Sequence, residues 1–372
     1  MTHFAAGGVD RGDADRRLMA RALVLAARGL WTTSPNPRVG CVIARDGVVI
    51  GEGYHVRAGE AHAEIAALSD MRARGESAAG ATLYVTLEPC NHTGRTPPCT
   101  DEVIAAGVAR VVAAMADPNP VAAHGAERLR AAGIATDLGV LEDEARELNL
   151  GFVSRVTRGV PWVRVKIASS LDGRTALANG ESRWITGAAA REDGHRYRAR
   201  ACAILTGVGT VRADDPELTV RAVPATRQPL RVVVDRAAAT PPGAKVLVGE
   251  STLVVTAGAR NPAWPPGVEA IALPDAAGRV DLAALLAELA RRGVNELHVE
   301  AGAGINGALL RAGLVDEIVA YVAPRVLGDP ARGVANFGAG LRQLADGVRL
   351  RFQDVARIGD DLRVIARVQR EE

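Results

Sequence analysis

Three metal-type side chains and one carboxylate, carried by short separate segments, constrain this chain more than any other feature. His62-Ala63-Glu64 is followed by Pro89-Cys90 and then by Cys99. These residues can share one metal ion only if the fold brings distant turns together. A structural zinc site closes with four protein ligands, whereas a hydrolytic site keeps one position for water and lowers its pKa to about 7. Three ligands and a spare carboxylate therefore predict a hydrolytic zinc site.

The spacing of the two cysteines is unusual for such a site. In zinc deaminases a His-x-Glu segment goes with Pro-Cys-x-x-Cys, but here residues 91–98 separate Cys90 from Cys99. The insert holds a His, an Arg, a Gly and a Pro pair, which indicates a rigid loop that touches substrate. Each half of the pattern alone has an ordinary explanation, namely two buried thiols or a surface His–Glu pair. The alternative interpretation is a structural zinc site whose fourth ligand is His55 or His92. That interpretation gives Glu64 no function.

Apolar periodicity predicts alternating strands and helices around these residues. Asp46-Gly47 is a strong hairpin signal between two predicted strands. His62 and Cys99 are each expected to open a helix, where the helix dipole favours thiolate over thiol. The predicted elements are helices at 17–29, 62–68, 100–106 and 138–150 and strands at 39–44, 48–53 and 81–87.

The second half also alternates strands and helices, which predicts a sheet covered by helices. Residues 157–161 form a short connector, so the predicted division is a polar lead at 1–15 and domains at 16–156 and 160–372. The predicted strands are 162–167, 203–206, 231–235, 252–256, 296–300, 318–323 and 362–367, with helices at 188–199, 282–291 and 308–312.

Gly302, Gly304 and Gly307 follow a predicted strand with Gly-x-Gly-x-x-Gly spacing. This spacing favours phosphate binding at a helix N-terminus, and a packing turn of small residues explains it about equally well. It supports a Rossmann fold only weakly, because it follows a late strand and no acidic residue stands about 20 positions further on.

Lys166 is unusual because it and Lys245 are the only lysines among 45 basic residues. It lies in an apolar strand, between Val165 and Ile167. A compact ammonium group there can donate to a developing oxyanion or protonate it, which predicts a catalytic role. A snorkelling surface lysine is the alternative.

Composition and charge exclude several classes of function. The 372-residue chain is 48% hydrophobic and 24% charged, as in ordinary globular proteins, and its net charge of +2 gives no strongly basic face for nucleic acid. Residues 1–15 lack an apolar signal core, and no run of about 18 apolar residues occurs, so neither a secretory signal nor a membrane span is expected. Cys41 and Cys202 are expected as buried free thiols, which fits a reducing cytoplasm.

Both halves resemble one known family, the bifunctional riboflavin-biosynthesis deaminase/reductases, over roughly residues 16–368. The long cysteine insert is specific for this family among zinc deaminases. The resemblance implies a cytidine-deaminase-like three-layer α/β/α domain followed by a dihydrofolate-reductase-like α/β domain. The matching segments are NPRVGCVI (36–43), HAE (62–64), LEPCNHTGRTPPC (87–99), DPNP (117–120), KIASSLDGR (166–174), GESRWIT (180–186), GVGTVRADDP (207–216) and VEAG (299–302).

For the first half, the resemblance implies hydrolytic removal of the 2-amino group of 2,5-diamino-6-ribosylamino-4(3H)-pyrimidinone 5′-phosphate. Zinc would be held by His62, Cys90 and Cys99. Glu64 would carry a proton from water to the ring and then to the departing amine. The positions that match substrate contacts are Asn36, His55, His92 and Arg95. The last of these is the candidate for the ribose phosphate, since a guanidinium can bind phosphate bidentately.

For the second half, the resemblance implies NADPH-dependent reduction of the ribosyl group to a ribityl chain. Arg236 stands where relatives are expected to carry a small polar residue, so it either pairs with the 2′-phosphate of the cofactor or lies in solvent. The positions that match substrate contacts are Ser182, Arg198, Leu218, Arg221 and Glu300. The positions that match cofactor contacts are Ala168, Trp184, Thr210, Asp214, Arg236 and residues 302–308, which include Gly302, Gly304 and Gly307.

Three other functions stay open at this point: a nucleic-acid base deaminase with a fused non-catalytic domain, a non-enzymatic zinc scaffold, and a deaminase beside a degenerate reductase. Aromatic residues make up only 3% of the chain, which offers little for stacking on single-stranded nucleic acid. A scaffold predicts a closed metal shell and no NADPH. The Lys166, Asp214 and Glu300 positions argue against a degenerate reductase. The resemblance also implies a homo-oligomer and no membrane partner.

Overall fold

The computed structural model describes residues 11–93, 97–249 and 251–370. The chain divides into two compact units, Met1–Arg158 and Gly159–Glu372. The last helix of the first unit continues to Arg158, so the beginning of the predicted connector at 157–161 is helical. No helix of the described residues is both long and apolar enough to cross a membrane.

The first unit is a three-layer α/β/α domain, as predicted. Its described residues form α1 (Arg11–Ala27), β1 (Gly40–Arg45), β2 (Val48–Tyr54), α2 (Ala63–Ala73), β3 (Thr82–Val85), α3 (Cys99–Ala105), β4 (Arg110–Ala113), α4 (Gly125–Ala131), β5 (Ala135–Leu138), α5 (Glu142–Leu148) and α6 (Leu150–Arg158). The strand order of its sheet is β2-β1-β3-β4-β5. β3, β4 and β5 are parallel, and β1 runs antiparallel to both of its neighbours.

Glycines in the first two strands let a helix approach each face of this sheet. A Cβ at Gly40 would lie 2.0 Å from the Ala22 carbonyl oxygen of α1, and a Cβ at Gly53 would lie 2.5 Å from the Ala67 nitrogen of α2. Gly53 is paired with Cys41. Because successive residues of a strand face opposite sides, Gly40 faces one side and the Cys41–Gly53 pair the other. α1 and α2 therefore cover opposite faces.

The start of this unit differs from the predicted polar lead. α1 begins at Arg11, and Asp15 is buried rather than solvated. Its carboxylate accepts hydrogen bonds from the Tyr84 hydroxyl at 2.8 Å and from the Arg110 guanidinium at 2.8 Å. Local periodicity does not reveal this burial, because both partners come from strands far along the chain.

The predicted helix over 138–150 is two helices, which meet at Asn149. The Asn149 side chain accepts from the Arg38 N–H at 2.8 Å and donates to the Arg38 carbonyl at 3.0 Å. These bonds satisfy both backbone groups of a residue just before β1. The helix is interrupted at the residue that makes them.

The second unit is an α/β domain, also as predicted. Its described residues form β6 (Trp162–Ser170), β7 (Arg174–Ala176), α7 (Ala188–Arg200), β8 (Ala203–Gly207), α8 (Val208–Asp214), β9 (Leu230–Val234), β10 (Thr252–Thr256), β11 (Glu269–Ala272), α9 (Leu282–Arg291), β12 (Glu296–Val299), α10 (Ala303–Arg311), β13 (Glu317–Ala323), β14 (Arg332–Gly333), β15 (Leu350–Ile358) and β16 (Asp361–Val368), with short 3₁₀ helices at Lys245–Leu247 and Leu344–Asp346.

These strands form a nine-stranded sheet of the described residues, ordered β11-β10-β9-β8-β12-β6-β13-β16-β15, and a separate pair β7–β14. Neighbouring strands from β11 to β13 are parallel. β16 runs antiparallel to β13, and β15 runs antiparallel to β16. The strand β15, which periodicity did not predict, is therefore an edge strand.

The two faces of the central strands differ in chemistry. Val163, Val165 and Ile167 of β6 pack into an aliphatic core with leucines of α9 and α10. Arg164 and Lys166 alternate with them and point to the opposite face. Alternation along β6 therefore separates a hydrophobic face from a charged one.

The described cysteines are all free thiols. Cys41 is buried, as predicted. Cys202 is only partly buried, contrary to prediction, because it lies just before β8 at the end of the sheet. There the Asn295 N–H donates to its sulfur at 3.4 Å.

Candidate functional site

The predicted metal ligands converge at one point of the first unit. Nδ1 of His62 lies 3.2 Å from Sγ of Cys99 and 3.6 Å from Sγ of Cys90. The three donor atoms lie within 4.8 Å of one another. His62 is the N-cap of α2 and Cys99 is the first residue of α3. An imidazole nitrogen and two thiols are a donor set that zinc prefers, so these residues fit a zinc ion.

The two thiols form an asymmetric pair. A hydrogen bond from the Cys99 thiol lowers the pKa of Cys90 to about 4, and the same bond raises the pKa of Cys99. The Cys99 backbone N–H also donates to the Cys90 sulfur at 3.4 Å. One thiolate is already favoured here, and a bound cation would favour the second, because metal binding requires deprotonated thiols.

Glu64 is the buried acid beside these ligands. It lies in the first turn of α2, and only 3% of its surface is exposed. Burial raises the pKa of Glu64 to about 7. A carboxyl group with that pKa can accept and return a proton near neutral pH, as general acid–base catalysis requires. Burial and the nearby Glu64 charge also raise the pKa of the Cys41 thiol, a neighbour that sequence reasoning did not indicate.

Two residues that sequence reasoning did not single out hold the loop that carries Cys90. The Glu88 carboxylate accepts from the Ala126 N–H at 2.7 Å. A Cβ at Gly125 would lie 1.8 Å from the Pro89 carbonyl oxygen, so the first residue of α4 must be a glycine for this approach. The carboxylate directly before Pro89-Cys90 was the available signal for such a positioning role.

Asn36 and His55 form a hydrogen-bonded pair next to the ligands. Nδ1 of His55 donates to the Ala61 carbonyl at 2.9 Å, so its Nε2 carries no proton and accepts from the Asn36 amide at 3.0 Å. The His55 ring lies edge-on to the His62 ring, with 5.5 Å between centroids. Because both nitrogens of His55 are used, this conformation does not offer it as the fourth ligand of a closed structural site.

The loop between the two cysteines contains the other two predicted substrate contacts. Nδ1 of His92 is buried and has no hydrogen-bond partner among the described residues. Arg95 lies outside the described residues, so its expected contact with the ribose phosphate stays a prediction.

In the second unit, Lys166, Arg198 and Glu300 form a charged cluster. Val165 of β6 pairs with Val299 of β12, so Lys166 and Glu300 occupy the next positions on adjacent strands. Arg198 of α7 donates to both carboxylate oxygens of Glu300, at 2.5 and 2.8 Å. These groups lie towards the C-terminal edge of the parallel strands, where ligands bind in open α/β sheets.

The charges of this cluster are coupled. Burial alone would raise the pKa of Glu300, but the Arg198 guanidinium outweighs it and holds that pKa well below its usual range. Burial lowers the pKa of Lys166, and the Glu300 charge opposes this effect. Glu300 is thus a fixed anion, and Lys166 gives up its proton more readily than a solvated lysine does.

A buried ion network lies on the same face of the sheet, and sequence reasoning missed it. The side chain of Arg164 is 1% exposed and contacts Glu317 and Glu296, the latter at 3.0 Å. Nε2 of His298, which is fully buried, lies 3.4 Å from the Glu300 carboxylate. The cluster of Lys166, Arg198 and Glu300 therefore has charged rather than hydrophobic neighbours on this face of the sheet.

The remaining predicted substrate positions differ in accessibility. Arg221 is exposed, and its guanidinium donates to Glu217 at 2.9 Å. Leu218 is 2% exposed and packs in a hydrophobic cluster, so any substrate contact is expected from its backbone. Ser182 lies in the loop before α7, and none of its described contacts joins it to Glu300.

Two helix N-termini form the candidate cofactor site. α8 begins directly after β8, and α10 begins after a three-residue turn that follows the adjacent strand β12; their N-caps are Gly207 and Gly302. The Thr210 hydroxyl oxygen lies 3.9 Å from the position of a Cβ at Gly302. Helix N-termini bind phosphates through free N–H groups and the helix dipole, so this arrangement fits a dinucleotide.

Trp184 is exposed and Asp214 is half-buried. The Trp184 ring is 63% exposed and lies 4.5 Å from the guanidinium carbon of Arg191. Asp214 ends α8, and its carboxylate lies 3.7 Å from Nε of Arg183. Both predicted cofactor residues are therefore accessible to a ligand.

Ala168 and Arg236 occupy the ends of two strands of the same sheet. Ala168 lies on the same face of β6 as Lys166. Arg236 follows β9, is exposed, and has no ion-pair partner among the described residues. Both alternatives for Arg236, the 2′-phosphate and solvent, stay open.

The three glycines of the Gly-x-Gly-x-x-Gly segment have different surroundings. Gly302 and Gly304 are exposed, and a Cβ at Gly304 would meet nothing within 4 Å. Gly307 is buried, and its Cβ would lie 1.9 Å from the Asn336 carbonyl oxygen. The helix begins at Ala303, earlier than predicted, so it includes the second and third glycines. Phosphate binding fits the first two positions, and packing accounts for the third.

Gly307→Ala should therefore lower the free energy of unfolding by about 1–3 kcal/mol, because a methyl group forces a backbone shift in a packed region. Urea unfolding followed by circular dichroism measures this. Gly304→Ala in the same helix is the control and should be neutral or slightly stabilising, since its Cβ enters open space. Equal destabilisation by both changes would contradict the packing role.

Two family models match the chain. The RibD C-terminal domain matches residues 161–364. The cytidine and deoxycytidylate deaminase zinc-binding region matches residues 13–115, which include His62, Cys90 and Cys99. Each model falls on one half of the chain.

Relatives named riboflavin biosynthesis protein RibD align over nearly the whole chain. The Escherichia coli protein is 48% identical over 94% of this chain and 98% of its own length. A solved structure of Acinetobacter baumannii RibD is 42% identical, has a TM-score of 0.90, and covers 97% of this chain and 100% of that chain. A Thermotoga maritima structure, a diaminohydroxyphosphoribosylaminopyrimidine deaminase/5-amino-6-(5-phosphoribosylamino)uracil reductase, is 35% identical with a TM-score of 0.87 and covers 96% and 99%.

These matches confirm the predicted fold class and the predicted pairing of a zinc-type deaminase with a reductase. They also remove the zinc scaffold and the fused base deaminase as descriptions of the whole chain, because the similarity extends through both halves. The chain therefore belongs to the RibD family, the bifunctional deaminases and reductases of riboflavin biosynthesis.

Proposed function

We propose that the first unit removes the 2-amino group of 2,5-diamino-6-ribosylamino-4(3H)-pyrimidinone 5′-phosphate by hydrolysis. The main support is the approach of His62, Cys90 and Cys99 to within 4.8 Å of one another beside the buried Glu64. The second unit then reduces the ribosyl group of the product to give 5-amino-6-(5-phosphoribitylamino)uracil. Zn²⁺ is the cofactor of the first reaction and NADPH that of the second.

In the first reaction, His62, Cys90 and Cys99 hold the metal and Glu64 moves protons. When bound, zinc supplies a Lewis acid that makes water acidic near neutral pH. Glu64 transfers one proton from the attacking water to the pyrimidine ring. It then transfers the second proton, from the hydroxyl group that has formed on the ring, to the departing amine, so that the carbonyl forms and ammonia leaves. Its pKa of about 7 suits both tasks. Because one group acts first as base and then as acid, the buried pocket needs no second proton carrier.

Asn36, His92 and Arg95 bind the substrate of this reaction, and His55 contributes through its bond to Asn36. The bond from the Asn36 amide to His55 Nε2 orients the amide for the pyrimidine. The buried Nδ1 of His92 is available to a ligand atom, since it has no partner within the described chain. Arg95 takes the ribose phosphate.

In the second reaction, Lys166, Arg198 and Glu300 bind and orient the ribosyl group. NADPH supplies a hydride when bound. Glu300 is held ionised by Arg198 and accepts hydrogen bonds from sugar hydroxyls. The hydride would add to the sugar carbon that bears the amine, and the bond from that carbon to the ring oxygen breaks. Lys166 donates a proton to this oxygen, which becomes a hydroxyl group. Ser182, Arg221 and the backbone at Leu218 complete the substrate contacts.

Residues at the N-termini of α8 and α10 would hold NADPH. The backbone at Gly302 and Gly304 binds its phosphates, and Thr210 and Asp214 contact it from α8. Ala168 and Trp184 flank it, while Gly307 allows α10 to pack against Asn336. Arg236 contributes only if the 2′-phosphate reaches the end of β9.

We also propose that the chain forms a homo-oligomer through β15. This nine-residue edge strand is exposed along most of its length, and Phe352 within it is 71% exposed. Long apolar edge strands present unpaired backbone groups and readily pair with another strand. A second copy of β15 offers the same surface, so a symmetric pairing covers both edges.

Light scattering after size exclusion should therefore give a mass at least twice the 38.8 kDa of the chain. Phe352→Glu should shift the population towards the single-chain mass, because it places a charge on the paired surface. Val121→Glu, at a residue 68% exposed in the first unit, is the control and should not change the mass. A single-chain mass for the unaltered protein would contradict the proposal.

A cytoplasmic location is consistent with the cysteine chemistry. The described cysteines are free thiols, and the Cys90–Cys99 pair must stay reduced to bind a metal. A reducing compartment maintains that state.

One assay separates this function from deamination of a base in nucleic acid. The purified protein is mixed with the diaminopyrimidinone phosphate and ammonia is followed, after which NADPH is added and its absorbance is followed. Ammonia release followed by NADPH oxidation is expected. Ammonia without NADPH oxidation contradicts the bifunctional proposal. Ammonia from an RNA hairpin but none from the pyrimidine favours base deamination.

A further inference from the structure

His195 lies among the charged residues of the reductase cluster. It stands on α7, three positions before Arg198, so the two share a face of the helix. The charges of Arg198, Arg221, Glu300 and Lys166 all act on its imidazole. Every one of these four is a proposed catalytic or substrate-binding residue. A titratable side chain among these four residues is a candidate for a function in the same site.

The hydrogen bonding of this ring fixes its chemical form. The Arg221 backbone N–H donates to Nδ1 of His195 at 3.2 Å, so Nδ1 carries no proton. Burial, with Arg198 and Arg221 close by, lowers the pKa of His195 to about 4. The ring is therefore neutral near pH 7, and its proton is on Nε2. That N–H has no hydrogen-bond partner among the described residues.

We propose that His195 is a substrate-binding residue of the reductase, whose Nε2–H donates to the phosphate of the pyrimidine substrate. This inference rests on the proposed substrate site around Glu300.

The charges around the ring support an anionic partner. Lys166, Arg198 and Arg221 contribute three positive charges, and Glu300 and Glu217 contribute two negative charges, so the group has a net charge of +1. Arg221 is exposed and bonded to Glu217 at the rim. A neutral donor between cations adds a hydrogen bond to an anion without adding like-charge repulsion.

Two amide substitutions separate binding from packing. In His195→Asn the side-chain oxygen can still accept from the Arg221 N–H, but the distal donor is lost. In His195→Gln the amide nitrogen stands near the place of Nε2 and keeps a donor, while the bond to Arg221 is lost. Binding through Nε2 predicts that the Asn variant is impaired and the Gln variant nearly normal. A purely structural role predicts the reverse.

The expected result for His195→Asn is a loss of about 10- to 100-fold in kcat/KM for the phosphorylated substrate, expressed mainly in KM. KM for NADPH should stay within about twofold, since the change touches substrate binding only. With the dephosphorylated substrate, the Asn variant and the unaltered protein should differ by less than about twofold. Equal losses on both substrates, or a larger loss in the Gln variant, would overturn the proposal.

Arg196→Gln, an exposed change on the same helix, serves as the control, and ammonia release checks that the rest of the chain is intact. Glu300→Gln in the same assay tests the site itself. A severe loss in Glu300→Gln together with a normal His195→Asn would refute the role of His195 and leave the proposed site in place. A normal Glu300→Gln would refute the site.

Discussion

Replacing Glu64 by Gln lowers the rate of ammonia release by about 10²–10⁴-fold. The amide fills the same buried space in the first turn of α2 but cannot accept a proton from water. The carboxyl group that it replaces has a pKa raised to about 7 by burial, so that group can accept and return a proton near neutral pH. Steady-state ammonia release from the diaminopyrimidinone phosphate measures the effect.

Three further measurements show whether the loss of ammonia release is specific to the Glu64 carboxyl group. Zinc content by atomic absorption should be unchanged, because His62, Cys90 and Cys99 remain. NADPH oxidation with substrate that is already deaminated should also be unchanged, because it depends on the second unit. Glu60→Gln, at an exposed residue just before α2, should behave like the unaltered protein. Full ammonia release in Glu64→Gln would remove this residue from the mechanism.

Replacing Lys166 by Ala abolishes NADPH oxidation while ammonia release continues at its normal rate. The lost group is the proposed proton donor to the sugar oxygen, so a decrease of about 10²–10⁴-fold in reductase kcat is expected. Lys166→Arg should not restore activity, because a guanidinium is planar and holds its proton too tightly. NADPH absorbance and ammonia, measured on the same samples, give both rates.

Lys245→Ala is the matched control for this prediction. Lys245 is the other lysine of the chain, and its exposed ammonium lies 3.6 Å from Asp215. Its removal should leave both rates unchanged. Thermal unfolding of the Lys166 variant should show a folded protein, so that a loss of rate reports on chemistry. Retention of the full reductase rate in Lys166→Ala would refute the catalytic role.

Most residues of the proposed zinc site could be predicted from the sequence, because the motifs that contain them are short. His62 and Glu64 lie two positions apart at the start of a helix, and Pro89-Cys90 follows a strand. The helix and the strand could each be predicted from local apolar periodicity. Their convergence was an inference from chemistry. The contact that Gly125 makes with the Cys90 loop could not be predicted, because Gly125 of α4 meets Pro89 only in the folded chain.

The reductase site was harder to predict from the sequence, because segments far apart along the chain form it. Lys166 stood out because lysine is so rare in this chain, but its surroundings are assembled from distant strands and a helix. Arg164 meets Glu296 and Glu317, which lie 132 and 153 positions further along the chain. No local periodicity indicates such pairings. Likewise, the third glycine of the Gly-x-Gly-x-x-Gly segment proved to be a packing residue because of a loop near Asn336.

The dry cluster of Arg164, Glu296 and Glu317 also restricts how this domain can diverge. Arg200 lies 2.6 Å from Glu296 and Arg367 lies 3.8 Å from Glu317 at the partly exposed edge of this cluster. Removing Arg164 would leave the two buried carboxylates without their central cation, at a cost of roughly 3–5 kcal/mol. That is a large share of the stability of a typical domain. Loss of Arg164 alone is therefore costly to the fold, whereas loss of one carboxylate still leaves Arg164 a partner. Descendants of this chain should therefore keep Arg164 for as long as both carboxylates remain.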